Sequence, residues 1–246
     1  MKTHNQNQFT RAGGAWAALA LLALSTFKSH LSTAQTQGAS AVHPSTNIVL
    51  QPPPWHDGEE MQLDLKKAGV KIGTSRYSVR AGETNGQKTW RMLDYLPGGA
   101  SILVEAQADN FKPIHSHAKS GEKFVDTTYW LDHAEVKSSA QAEARKVALE
   151  GPVFDNEEFF QLVRRLPLAP GYRIRLPLLP AGRSVAIWDL EVSGLETVTV
   201  PAGTYECFKL KPFAGQTYWY STDPHRYLVK FDTAGVVAEL SAVRVN

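Results

Sequence analysis

The chain has 246 residues, of which 43% are hydrophobic and 20% are charged, a composition typical of a folded globular protein that excludes global disorder. The formal net charge is +2, but residues 1–34 carry Lys2, Arg11 and Lys28 and no acidic residue, so the remainder has 23 basic against 24 acidic residues. Because phosphate neutralisation needs concentrated Lys and Arg, this balance excludes nucleic acid as an expected partner.

Residues 1–34 have the pattern of a cleavable secretory signal peptide. A basic start precedes an apolar stretch at residues 12–27, and small residues end the segment at Ala34. The apolar stretch is shorter than the roughly 20 residues that a spanning helix needs. No Cys follows it as a lipoprotein anchor would require, because the one cysteine is Cys207, which is expected to be a small buried hydrophobe. We therefore predict cleavage near Ala34 and a periplasmic or secreted product without a stable membrane anchor.

The mature chain is predicted to begin with a flexible leader at residues 35–57, which is rich in Gln, Ser and Pro. Residues 58–246 are predicted to form a single domain. Apolar and polar residues alternate there with a period of two, for example at 61–65, 188–192 and 236–242, which is typical of strands with one buried face. Short Gly-containing turn sequences separate these runs, which favours a mostly β, antiparallel fold over βαβ units.

One segment departs from this alternation and predicts a short helix packed against the sheet. Asp155 or Asn156 can cap its start, and the acidic residues 157–158 suit the positive end of a helix better than they suit acid–base catalysis. The basic residues 164–165 suit the other end, and Pro167 stops it. Residues at helical spacing form its apolar face: Phe159, Leu162, Val163 and Leu166.

Several motifs resemble an exported bacterial family catalogued as domain-of-unknown-function family 3108. Gly58-Glu59 precedes an amphipathic strand, and Gly69-Val70-Lys71-Ile72-Gly73 follows it. The most specific match is the Val-Pro-Ala-Gly-Thr turn at residues 200–204, which is followed by Trp219-Tyr220-Ser221. The resemblance extends from about Gly58 to Val243. It implies a curved antiparallel sheet or half-open barrel, similar to periplasmic LolA and LolB lipoprotein carriers, and it implies no known reaction or catalytic residue.

Aromatic residues are the strongest candidates for a ligand site, because pockets for apolar ligands are mostly hydrophobic. The same residues could equally fill an ordinary core. The candidate ligand-binding residues are Trp90, Trp130, Trp188, Tyr218, Tyr220 and Phe159.

Other constellations carry little chemistry. His115 and His117 share one strand face at a spacing that metals can use, but they lack a recognisable third ligand, so no metal site is expected. Ser221, Asp223 and His225 are close neighbours in sequence, unlike the members of a usual catalytic triad. Phosphate-binding glycine loops and dinucleotide fingerprints are absent, and no cofactor is expected.

Three functional hypotheses follow. The first is a non-enzymatic periplasmic protein whose concave sheet binds a lipid or another hydrophobic molecule. The second is an envelope structural or assembly protein that acts through its surface. The third is a hydrolase or other enzyme, which would need polar groups to converge in a cleft, for instance His115, His117, Asp126 and His133. The sequence identifies no protein partner.

Overall fold

The computed structural model describes residues 48–181, 183–211, 215–233 and 235–245. The predicted signal peptide at residues 1–34 and the first part of the predicted leader lie outside the described residues. Within the described part, no helix combines the length and apolar character needed to cross a lipid bilayer.

The described chain is mostly β, as predicted, with fifteen strands and one short helix. The strands in chain order are β1 (Glu59–Lys67), β2 (Val70–Thr84), β3 (Gln87–Tyr95), β4 (Ser101–Gln107), β5 (Pro113–Ser120), β6 (Lys123–Tyr129), β7 (His133–Ser138), β8 (Arg145–Ala148), β9 (Phe154–Asp155), β10 (Arg173–Leu179), β11 (Ala186–Val200), β12 (Gly203–Lys211), β13 (Gln216–Ser221), β14 (Leu228–Thr233) and β15 (Val236–Val245). A 3₁₀ turn (Asn156–Glu158) leads into the helix α1 (Phe159–Arg164).

All fifteen strands belong to one sheet, in the order β8-β7-β6-β5-β4-β3-β2-β1-β15-β14-β13-β12-β11-β10-β9. Neighbours are antiparallel except β9 and β10, which pair in parallel. The sheet does not close, because β8 and β9 stand at its two ends. Register shifts interrupt several ladders, for example between Val192 and Gly194, and such bulges bend and twist a sheet. The predicted curved antiparallel sheet with one helix packed against it is confirmed.

Side chains rather than backbone ladders join the two ends of the sheet. A small apolar cluster unites β7 and β8 with the far side of the fold: Ala134, Val136, Val147, Val153 and Leu179. The Tyr129 hydroxyl donates a hydrogen bond to Asp155 at 2.7 Å, and Arg145 donates to the carbonyl oxygen of Arg183. The curled sheet therefore encloses an interior that α1 partly fills.

The helix begins as the sequence predicts. Asp155 accepts a hydrogen bond from the backbone N–H of Glu157, and Glu158 accepts one from the backbone N–H of Asp155, so the two side chains form a capping box. The predicted apolar face (Phe159, Leu162, Val163, Leu166) is buried in the main core.

Residues 48–57, the last part of the predicted leader, pack on the domain. Trp55 is buried, with its ring edge-on to Trp90 and tilted against Phe111, each at 5.7 Å. Arg165 donates to the carbonyl oxygen of Gln51, and the backbone N–H of Gln51 donates to the carbonyl of Arg165. Composition suggested a linker, but one large aromatic residue with an apolar slot to enter is enough to order the segment.

Candidate functional site

One row of inward-facing residues crosses the concave side of the sheet. Register pairs Tyr77 on β2 with Asp94 on β3, and Asp94 with Ile102 on β4. The row continues through Ala118 on β5 and Val125 on β6. Side chains directly opposite each other in a ladder lie side by side. This row therefore forms a continuous inner wall beneath the helical segment, which consists of the 3₁₀ turn and α1.

A cavity of about 170 Å³ lies between this wall and the helical segment. Aromatic side chains in its lining pack around Phe160, whose ring centroid lies 5.5 Å from that of Tyr77, 5.7 Å from that of Tyr218 and 5.4 Å from that of Phe231. Phe159 adds a contact with Trp188 at 5.3 Å. The site is therefore a mainly apolar cavity whose aromatic side chains contact one another.

A second cavity of about 300 Å³ adjoins the first. Both cavities are lined by Ile102 and Glu157, which stand at their junction. Lys119, Lys123 and Gln141 contribute polar groups to the lining of the second cavity. The interior thus offers two adjoining spaces, one lined by aromatic rings and the other partly by lysines.

The first cavity, of about 170 Å³, is called the aromatic cavity below. Two carboxyl groups, those of Asp94 and Glu157, face it. Burial raises the pKa of Asp94 well above its ordinary range, and the nearby Glu157 adds to the effect. Burial also raises the pKa of Glu157 to about 7, with Asp155 contributing. Desolvation disfavours the charged form of a carboxyl, so both groups hold protons more tightly than they would in water.

Only three of the six aromatic residues predicted as ligand-binding line the aromatic cavity: Phe159, Trp188 and Tyr218. Trp90 packs on Trp55, and Tyr220 is fully buried with its hydroxyl donating to the carbonyl of Phe160 at 3.2 Å. Trp130 lies in the turn after β6, where it is 56% exposed and stacks on His133.

We expect Trp130→Ala to change the free energy of unfolding by less than about 0.5 kcal/mol, because exposed side chains contribute little to stability. Tyr220→Phe, which removes only a buried hydroxyl and its hydrogen bond, should cost about 1 kcal/mol. Urea denaturation of the two variants checks both values. A cost above about 1 kcal/mol for Trp130→Ala would contradict its placement in an exposed turn.

The histidine pair lies on the outer face of the sheet, away from both cavities. Asp126 Oδ2 is 3.1 Å from His115 Nε2 and 2.9 Å from His117 Nδ1. His133 is not part of this group and contacts Asp132 instead. Within the described residues no group of three or more His, Cys, Asp or Glu side chains could hold a metal ion. These polar residues do not converge in a cleft.

Ser221, Asp223 and His225 do not form a triad. The Ser221 hydroxyl accepts a hydrogen bond from the backbone N–H of Tyr227, and Asp223 accepts one from the backbone N–H of His225. Both contacts hold the turn between β13 and β14. Cys207 is buried, as predicted, and burial raises the pKa of its thiol to about 12, which opposes a nucleophilic role.

Sequence reasoning missed Asp94 and the inward orientation of Glu157. Asp94 follows Trp90 and Met92 at intervals of two residues, so it is a carboxyl in the buried phase of a strand. This alternation in β3 was the sequence signal from which an inward-facing Asp94 could have been predicted. Nothing in the sequence indicated that Glu157 would face a cavity, because an acidic residue at a helix start is already explained by its favourable interaction with the helix dipole.

A comparison with family models matches residues 60–240 to the family described as Protein of unknown function (DUF3108). No curated protein matches the chain. A similar solved structure is a beta-barrel-like protein of domain of unknown function DUF1849 from Brucella abortus, at 10% identity. The similarity covers 81% of this chain and 100% of that chain, with a TM-score of 0.40.

Proposed function

The chain belongs to the family described as Protein of unknown function (DUF3108), and we propose that it is a non-enzymatic binding protein for an elongated, mainly apolar molecule such as a lipid. The two adjoining cavities on the concave side of the sheet are the observation that carries this proposal. Ligand sites in proteins are concave, largely apolar and preformed, with few polar groups. The export signal predicted in residues 1–34 supports a site of action outside the cytoplasm.

The contacts among the aromatic side chains of the wall support binding over simple incomplete packing. Aromatic rings in mutual contact, such as Phe160 with Tyr77 and Phe231, cannot collapse into the space without losing their own edge and stacking contacts. The capping box fixes the 3₁₀ turn that carries Glu157 across the junction. A cavity kept open in this way is preorganised, so a ligand would not have to order its own site.

The alternative of an envelope assembly protein has a smaller basis. Trp130 and Leu131, the latter 93% exposed, form an apolar pair in the turn between β6 and β7. Two side chains make a patch no larger than the apolar patches that ordinary monomers expose. The hydrolase alternative lacks a supporting geometry, because the Ser221 and Asp223 side chains bind the backbone of their own turn and the His225 ring stacks on Tyr227.

Filling the junction of the two cavities tests the proposal. Ile102→Trp places a bulky ring where both cavities meet. We expect this variant to bind the uncharged fluorescent probe N-phenyl-1-naphthylamine at least about tenfold more weakly than wild type, because overfilling excludes the probe. The measurement is a fluorescence titration, and the thermal unfolding midpoint reports whether the variant is folded.

The matched control is Ile187→Trp, which makes the same substitution at a half-exposed position on β11 that lines neither cavity. This control should bind the probe like wild type. Equal affinities for wild type, Ile102→Trp and Ile187→Trp would contradict binding in the cavities. Native mass spectrometry of the purified protein gives an independent reading, in which a co-purified apolar molecule is expected in wild type.

A further inference from the structure

The geometry points to a ligand with a cationic group, so the aromatic cavity holds a positively charged amphiphile whose ammonium lies between Asp94 and Glu157. This inference rests on the proposed function, which requires only that the cavities bind an apolar body. It adds that the polar group of the ligand is positively charged. In the described residues, the lining of this cavity contains two carboxyls and no Lys, Arg or His.

Asp94 is a polar side chain without a partner. It is 8% exposed, it faces the cavity, and no hydrogen bond or ion pair joins its carboxyl to any of the described residues. By contrast, the buried carboxyl of Asp155 accepts a hydrogen bond from the Tyr129 hydroxyl, and that of Glu59 is paired with Arg164. A buried polar group without a partner is costly and therefore needs an explanation, which the polar group of a ligand can supply.

Glu157 approaches the same cavity from the helical segment and is also incompletely bonded. One of its oxygens accepts a hydrogen bond from the Asn156 side chain at 3.1 Å. The two carboxyls come from different elements, β3 and the 3₁₀ turn, so they face the space from different sides of the cavity. A positive charge bound between the two carboxylates would be the counter-charge of both.

The aromatic walls suit the same cation. Ring faces attract positive charge, and quaternary ammonium groups are recognised by cages of several aromatic side chains. Phe160, Tyr218 and Phe231 have mutual centroid distances of 5.4 to 5.9 Å and line the cavity together with both carboxyls. An anionic head group would find two carboxyls and no cation in this cavity.

Binding of a cation is linked to proton release. The titratable groups around the pair are Tyr77 on β2 and Tyr218 on β13, with Asp155 and Glu158 at the start of the helical segment. Lys119 and Lys123 line the second cavity together with Glu157. A bound cation favours the ionised carboxyls, so its affinity should rise with pH through the range in which Glu157 titrates.

The test uses three ligands with the same ten-carbon chain: decyltrimethylammonium, decanol and decanoate. Each is titrated into the purified protein by isothermal titration calorimetry. Wild type should bind decyltrimethylammonium at least about tenfold more tightly than decanol, and more tightly at pH 8 than at pH 5. The quaternary ammonium does not titrate, so the pH dependence belongs to the protein. Asp94→Asn and Glu157→Gln, which keep the side-chain shape, should each lose most of this preference and retain decanol binding.

The control Asp189→Asn removes a carboxyl from an exposed ion pair with Arg175 and should change nothing. Thermal unfolding midpoints confirm that each variant is folded. If decanol and decanoate bind as tightly as the ammonium, the inference is overturned and the proposed function stands. If none of the three ligands binds and N-phenyl-1-naphthylamine is also excluded, both are overturned.

Discussion

Arg164→Met should lower the free energy of unfolding by roughly 3–5 kcal/mol, the usual cost of removing one partner of a buried ion pair. Arg164 Nη1 lies 2.7 Å from Glu59 Oε1, and both side chains are at most 1% exposed. The substitution would leave the carboxylate of Glu59 inside the protein without a counter-charge. Urea denaturation of wild type and variant measures the difference.

The same guanidinium joins three parts of the fold, which adds to the expected cost. It donates to the carbonyl oxygen of His225 from Nε at 3.2 Å and from Nη2 at 2.7 Å, and to Gln161 from Nη1 at 2.8 Å. It also lies over the ring of Trp55 at 5.3 Å. Arg164 therefore fixes the end of α1 to β1, to the turn between β13 and β14, and to the segment before β1.

Two further variants separate the charge from the packing. Glu59→Leu combined with Arg164→Met removes both charges and should recover much of the lost stability, because an apolar pair of similar volume has no desolvation cost. Arg173→Met breaks an exposed ion pair with Glu191 and should cost less than about 1 kcal/mol. Equal losses from Arg164→Met and Arg173→Met would contradict the buried pair. If Arg164→Met does not fold, Glu59→Gln tests the same pair from the other side.

Local pattern was sufficient to predict the strands, the helix and its cap. Alternation of period two depends only on which face of a strand is buried, and the capping box at Asp155 depends only on residues three apart. The sequence also predicted basic residues at the helix end as partners of the dipole. Both arginines are instead buried, because α1 lies inside the curled sheet and the partner of Arg164 is the distant Glu59. Such pairing is non-local and leaves no local signal.

The site was only partly predictable for the same reason. The inward phase of Trp188 and Tyr218 can be read from their own strands, but which aromatic residues share one chamber depends on how the whole sheet curls. Trp130 shows the limit, since an apolar residue just beyond the end of β6 is exposed in its turn. The placement of Asp94 opposite Tyr77 and Ile102 depends on the register of β2, β3 and β4, which the sequence alone does not supply.

Stability should fall as the pH rises from 4 to 8, and Glu157→Gln should reduce this fall. The pKa of Glu157 rises from its ordinary 4.5 to about 7 on folding, because burial and the charge of Asp155 disfavour the carboxylate. Above pH 4.5 the unfolded chain releases this proton first, so each rise in pH favours unfolding until the folded carboxyl also ionises near pH 7.

The expected contribution of Glu157 to that fall is at most about 3 kcal/mol, since the half-buried carboxyl keeps some contact with the cavity. Asp94, Asp155 and Glu158 act in the same direction, because burial raises the pKa of each. The difference between wild type and Glu157→Gln therefore isolates one group. It should be near zero at pH 4 and should favour the variant at pH 8, as measured by urea denaturation at both values.

Glu122→Gln, an exposed position between β5 and β6, is the matched control and should show no such difference. A Glu157→Gln effect of equal size at both pH values would mean that the carboxyl is not held in the low-dielectric interior that the cation site requires.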